Sequence, residues 1–216
     1  MNMGYKYLIT SVLCAAAICA CAKQDPFEKE LGLQSRLVEL TPEGGITPVM
    51  VFSNTSWTAK FVTPVGWASL DRLSGKNSSE VKFAYADNYG RARKVAIAFE
   101  AGSARDTLVI IQASGIASPF ISLNPSSLNI GADVTRSKVI LTTNIQENIS
   151  EVVATVASSD GDASWIHDIF LTETSLELSL DTNPGTTARK ATVTLSHTDA
   201  SDKEITAQLF ITQNPA

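Results

Sequence analysis

The feature that most restricts the fold is a recurrence. Trp67, Asn88 and Gln112 return in the same order as Trp165, Asn183 and Gln213, at separations of 98, 95 and 101 residues. Gly90 and the Arg91/Arg93 pair follow the first asparagine, as Gly185 and Arg189 follow the second. A chain of 216 residues therefore holds one architecture twice, and each copy must close its own core in roughly a hundred residues. Two units of that size are too few and too large for a solenoid, so they read as tandem domains.

Local patterning says what each unit is. Val81, Phe83 and Tyr85 share one face at period two, as do Val95, Ile97 and Phe99, and later Leu176, Leu178 and Leu180. Thr107–Ile111 is a continuous apolar run, which predicts a central strand buried on both sides. Pro42-Glu43-Gly44-Gly45 and Asn54-Thr55-Ser56 are turn chemistry. No window shows helical apolar spacing over three turns. Many short strands with regular turn signals predict an all-β chain of two tandem immunoglobulin-like β-sandwiches, at 35–114 and 120–216, joined by a linker at 115–119. Apolar residues make up 44% of the chain, enough for a packed core. A net charge of −5 without Lys/Arg clusters excludes nucleic acid as a natural partner.

The first 34 residues are of another kind. Lys6 precedes the apolar run Leu8–Ile18, which is too short to span a bilayer and suits the core of a secretory signal. Ile18-Cys19-Ala20-Cys21 resembles a bacterial lipobox, and that resemblance implies acylation of Cys21 after removal of residues 1–20. Cys19 departs from the usual small residue at its position. All three cysteines lie within the first 21 positions, so the exported part beyond the anchor has neither disulfides nor a catalytic thiol. Residues 21–34 read as a tether. The expected address is the outer membrane with a lipid anchor, on the cell surface or on the periplasmic face; Asp25, Glu28 and Glu30 after Cys21 weakly resemble a surface-export signal and favour the surface.

The pattern Asn54-x-x-Trp57, Trp67-x-x-Leu70, a Gly75 loop, Asn88 with Gly90 and Arg91/Arg93, and a terminal Gln112 resembles the BACON module of Bacteroidetes. The second unit keeps Trp165, Asn183, Gly185, Arg189 and Gln213 but has Ile145-Gln146-Glu147 after Asn144 where the Trp57 equivalent would stand, so it reads as a divergent copy or a related immunoglobulin-like domain. The resemblance implies an immunoglobulin-like sandwich of an exported protein. It also implies either binding of a polysaccharide or mucin glycan, or a spacer and docking role toward other envelope proteins.

Exposed indoles can stack on sugar rings. Trp67 and Trp165 sit at repeated positions, which fits packing better than a ligand site. Trp57 and Tyr89 occur in the first unit alone, and Arg91 follows the turn that carries Tyr89; these three are the carbohydrate-binding candidates. The competing reading puts the tryptophans in the cores and lets arginines cap carbonyls or cover apolar surface with their stems. His167 and His197 lack companions at metal-ligand spacing, and Asp160-Gly161-Asp162 lacks the twelve-residue calcium pattern, so no metal or other cofactor is expected. No nucleophile elbow, phosphate loop or metalloprotease helix is present, so no catalytic residue and no enzyme activity is expected.

Overall fold

The computed structural model describes residues 28–159 and 161–216. The leader, the Cys21 lipobox, the start of the tether and Asp160 lie outside the described residues.

Alternation becomes strands as expected. In the first module these are β1 (Leu31–Leu33), β2 (Leu37–Leu40), β3 (Gly45–Ser53), β4 (Ser56–Phe61), β5 (Ala68–Leu70), β6 (Ser74–Lys76), β7 (Ser79–Tyr85), β8 (Arg93–Ala101) and β9 (Ala104–Gln112). They form two sheets, β1-β3-β7-β5 and β2-β9-β8-β4-β6. The second module has β10 (Ile121–Asn124), β11 (Ser127–Ile130), β12 (Arg136–Thr143), β13 (Val153–Ser158), β14 (Ile166–Leu171), β15 (Ser175–Leu180), β16 (Arg189–Thr198) and β17 (Glu204–Gln213). Its sheets are β10-β12-β15-β14 and β11-β17-β16-β13.

Both modules begin with the same hand-over. β1 pairs antiparallel with β3, and the chain then crosses so that β2 runs parallel to the last strand β9. β10 and β11 repeat this against β12 and β17. Each module buries its own cluster between its sheets. Val51, Trp57, Phe83, Ile97, Phe99 and Ile110 are among the first, and Leu141, Trp165, Leu178, Val193, Leu209 and Ile211 among the second. The fold is all-β, with paired immunoglobulin-like sandwiches.

Three sequence expectations need correction. The sandwich begins inside the segment read as tether, because Leu31–Leu33 already pairs with Val51–Ser53. A three-residue strand with glycine at its centre is too short to show a period. Thr107–Ile111 is not buried on both sides: Leu108 and Ile110 face the core, while Val109 and Ile111 lie half-buried on the outer face. In a two-sheet sandwich only the inner face of each strand meets the core. Finally, the second module inserts a 3-10 helix, Gln146–Glu151, where the first has a tight turn between β3 and β4. Ile145, fully buried, stands at the start of this insertion.

Candidate functional site

The repeated residues assemble into one device in each module. In the first, the Arg93 guanidinium lies 4.4 Å over the Trp67 ring and its Nε donates to Gln112 Oε1 at 2.9 Å. Gln112 is fully buried, and its Nε2 donates to the carbonyls of Pro42 and Ala86. Asn88 donates to the carbonyls of Arg91 and Ala113 and accepts from Gly90 N. In the second module Arg189 lies 4.4 Å over Trp165 and donates to Gln213 Oε1 at 2.9 Å. Gln213 donates to the carbonyls of Ala132, Val134 and Asp181. Asn183 donates to Thr187, Gln213 and Asn214 and accepts from Gly185 N. Each device satisfies loop carbonyls that the strand ladders leave open at one end of the sandwich. These residues recur because each sandwich needs them to close.

Arg91 does something else. Its side chain is 1% exposed and faces Asp199 of the second module, also 1% exposed, at 3.3 Å. It also donates to the Lys203 carbonyl. The Arg91 backbone N–H donates to Asn148 Oδ1 at 3.0 Å, and Ala200 N–H donates to the Ala92 carbonyl at 3.1 Å. The β7–β8 loop of module one is therefore clamped between the inserted helix and the β16–β17 turn of module two. Asp199 is fixed for the task, because its Oδ1 accepts from Ser201 N and Lys203 N across its own turn. Arg91 thus leaves the set of glycan contacts and becomes an interface residue. Its face of the turn meets the neighbouring module, not solvent.

Trp57 leaves that set as well. It is 1% exposed, its Nε1 donates to the Asn77 carbonyl at 3.0 Å, and Phe99 packs against it with ring centroids 6.0 Å apart. A Cβ added to Gly75 on β6 would lie 2.3 Å from Trp57 Cζ2. Glycine is thus what lets the indole lie flat under the strand, and no ring face is open to a sugar.

Tyr89 keeps its place as the exposed aromatic, at 73%. Its hydroxyl donates to Asp87 Oδ2 at 2.9 Å, and Asp87 Oδ1 accepts from Gly44 N at 2.6 Å. The backbone N–H of Gly44 and the Tyr89 hydroxyl together hold the Asp87 carboxyl below its ordinary range. The same bond raises the Tyr89 phenol. Pro42, Glu43, Asp87, Asn88, Tyr89 and Gly115 line a shallow pocket of about 290 Å³. Glu43 is likewise held low, chiefly by its own backbone N–H. The ring is therefore tied at its hydroxyl beside a carboxylate rim and is otherwise largely exposed. Among the described residues no three His, Cys, Asp or Glu side chains gather as a metal site.

The family model described as "BACON: Putative binding domain, N-terminal" covers residues 153–214. That stretch matches the BACON family. It runs from β13 through β17 and contains the Trp165–Arg189–Gln213 device. The match falls in the module that the residue pattern marks as the more divergent. No curated protein matches the chain. Among solved structures, a Bacteroides ovatus GH5 xyloglucanase in complex with a heptasaccharide is similar at 13% identity and a TM-score of 0.37, over 49% of this chain and 23% of that one. A protein from Bacteroides thetaiotaomicron is similar at 17% identity and 0.31, over 44% of this chain and 97% of that one. The tandem immunoglobulin domains of titin are similar at 10% identity and 0.33, over 88% and 100%. The chain spans about a quarter of the length of the xyloglucanase and of the endo-fucoidan hydrolases it resembles. At these identities and TM-scores the likenesses carry no argument about this chain.

Proposed function

We propose that this chain is a non-enzymatic, acylated outer-membrane lipoprotein, exposed at the cell surface, that binds polysaccharide or mucin glycan through the Tyr89 face. The observation that carries the reading is Tyr89 itself: a largely exposed ring held rigid by Asp87. A platform ordered before binding loses little side-chain entropy when a sugar settles on it. The match of residues 153–214 to a family of binding domains supports a binding role for the chain, in the second module rather than at Tyr89. At the Tyr89 pocket Asp87 and Glu43 are both held below the usual carboxylate range, so neither is set as its general acid. A general acid for glycoside cleavage needs the opposite shift.

The test is a glycan array probed with residues 22–216, followed by Tyr89→Ala. The variant is expected to weaken the best glycan about tenfold, equal to ~1.4 kcal/mol, with an unchanged unfolding midpoint. No signal across plant, host and microbial glycans sinks the reading, as does binding indifferent to Tyr89. For the anchor, Cys21→Ala is expected to release the protein from the membrane fraction, and retention there refutes acylation.

A second reading, a structural or docking lipoprotein for other envelope proteins, is favoured by one observation. The buried Arg91–Asp199 pair locks the two modules together, as a spacer of fixed length requires.

A further inference from the structure

Module two carries an exposed aromatic that its own strand pattern would have buried. On β14, His167 lies opposite Ser179 of β15, and Phe170 lies opposite Glu177. Three steps on β14 match two on β15, so one extra residue is inserted, and Asp168 takes a left-handed φ of 44° there. Without that bulge the alternation that turns His167 outward would turn Phe170 into the core. With it, Ile169 packs against the core and Phe170 stands 62% exposed. The bulge thus exchanges Phe170 for Ile169 at the core and leaves the aromatic ring in solvent. A departure of this kind from the local rule is where function is expected.

The surroundings of Phe170 define what it would meet. Across the same outer face, Lys138 of β12 lies opposite Glu177, and Arg136 lies opposite Ser179. The outer face thus carries two rows, Lys138–Glu177–Phe170 and Arg136–Ser179–His167. They span roughly 10 Å across three strands and ~7 Å along them, the scale of one or two sugar rings. A groove of about 540 Å³ runs between them, lined by Arg136, Lys138, Asp168, Phe170, Glu177 and Ser179 among others. Most of its charges are already matched. Lys138 pairs with Glu177 at 2.7 Å, and His167 Nδ1 meets Asp168 at 2.9 Å. Among the described residues Arg136 has no hydrogen bond or ion pair and acts on Glu177 only through space, so in a groove whose two cations and two carboxylates otherwise balance its guanidinium is the cation open to an anion.

We infer that this groove is a second glycan subsite, and that it takes a carboxylate-bearing pyranose. The apolar face of the sugar lies on Phe170, its carboxylate meets the planar fork of Arg136, and its hydroxyls bond Glu177 and Ser179. The inference rests on the glycan reading above but not on Tyr89. A uronic acid and a sialic acid both present this chemistry, from microbial or plant polymers in one case and host mucin in the other.

The test is titration of the chain lacking only its leader and anchor, both modules intact, with trigalacturonate, 3′-sialyllactose and neutral cellotriose. Wild type, Phe170→Ala, Arg136→Gln and Tyr89→Ala are compared. An acidic ligand is expected to bind at least about tenfold more tightly than cellotriose, less so as salt is raised. Phe170→Ala and Arg136→Gln should each cost that preference at least about fivefold, and Tyr89→Ala should leave it unchanged. Which acidic ligand binds names the source. Equal affinity for acidic and neutral sugars, or acidic binding untouched by the Phe170 and Arg136 variants, overturns the inference. Binding that Tyr89→Ala abolishes, with no acidic preference dependent on Phe170 or Arg136, keeps the first reading and overturns this one. Acidic binding that falls with Phe170→Ala and Arg136→Gln but not with Tyr89→Ala supports this one, and whether neutral binding needs Tyr89 decides the first reading separately. Both altered side chains are solvent-facing, so an unchanged unfolding midpoint separates lost binding from lost fold.

Discussion

Arg91→Met should uncouple the two modules while leaving each folded. The substitution keeps the volume of the side chain and removes its charge, so Asp199 would remain buried without a partner. Breaking a buried pair in this way costs about 3–5 kcal/mol. The exposed pairs of this protein, such as Lys138–Glu177, belong to a class that contributes ~0–1 kcal/mol. Asp199 has a way out that a core charge lacks. If the modules part, its carboxylate is hydrated and keeps the caps to Ser201 and Lys203. The interface therefore gives way before either sandwich does. The expected signature is faster tumbling of each module by NMR relaxation and a broader range of maximum dimensions in solution scattering, with both modules' amide spectra still dispersed. Asp199→Asn keeps an oxygen for the two turn caps and should act in the same direction, but more mildly. The double variant should lose less than the two single losses together, since neither then strands a charge. Tumbling and scattering unchanged in Arg91→Met would show that the clamp does not hold the modules.

Arg91 and Arg93 mark the limit of what sequence alone distinguishes. They look alike in the chain, two positions apart after one turn. Only the structure separates them: Arg93 folds back over its own Trp67, and Arg91 reaches into the next module. One signal was available. Two positions before Arg189 the second copy has Thr187, not arginine. What repeats within a chain serves each copy, and what does not repeat serves what lies between or beyond them. By the same logic the Trp–Arg–Gln device was legible as structural. So were the all-β class and the pairing of like modules, because period-two patterning and turn residues are local signals. The inserted helix at Gln146–Glu151 was not legible, since six polar and apolar residues carry no period. The Phe170 bulge was hidden for a related reason. His167-Asp168-Ile169-Phe170 can place either Ile169 or Phe170 outward, and only the pairing register with β15 decides.

Trp57 tests the rule from the other side, because it is unrepeated and still structural. Trp57→Ala should unfold module one and spare module two. Emptying the site of a fully buried indole costs about 3–5 kcal/mol, and the Asn77 carbonyl would lose its donor. A domain of this size starts with a margin at the low end of roughly 5–15 kcal/mol, so the loss removes most of it. Gly75→Ala should reach a similar result by the opposite route, overpacking, since its new Cβ would sit 2.3 Å from a rigid ring. The two lesions share one cause and should partly cancel. A phenylalanine at position 57 lacks the indole benzo ring that Gly75 accommodates, so Gly75→Ala is expected to cost less in the Trp57→Phe background than in the wild type. Urea unfolding followed by Trp67 and Trp165 fluorescence, with amide spectra to assign each transition, measures all four species. Trp57→Phe should also keep glycan binding at the level Tyr89 sets. If Trp57→Ala left the unfolding midpoint in place and abolished glycan binding, the indole would be a ligand contact, and the buried placement argued above would have to be abandoned. Additive costs of Gly75→Ala and Trp57→Phe would sink the narrower claim that glycine is present to admit the indole.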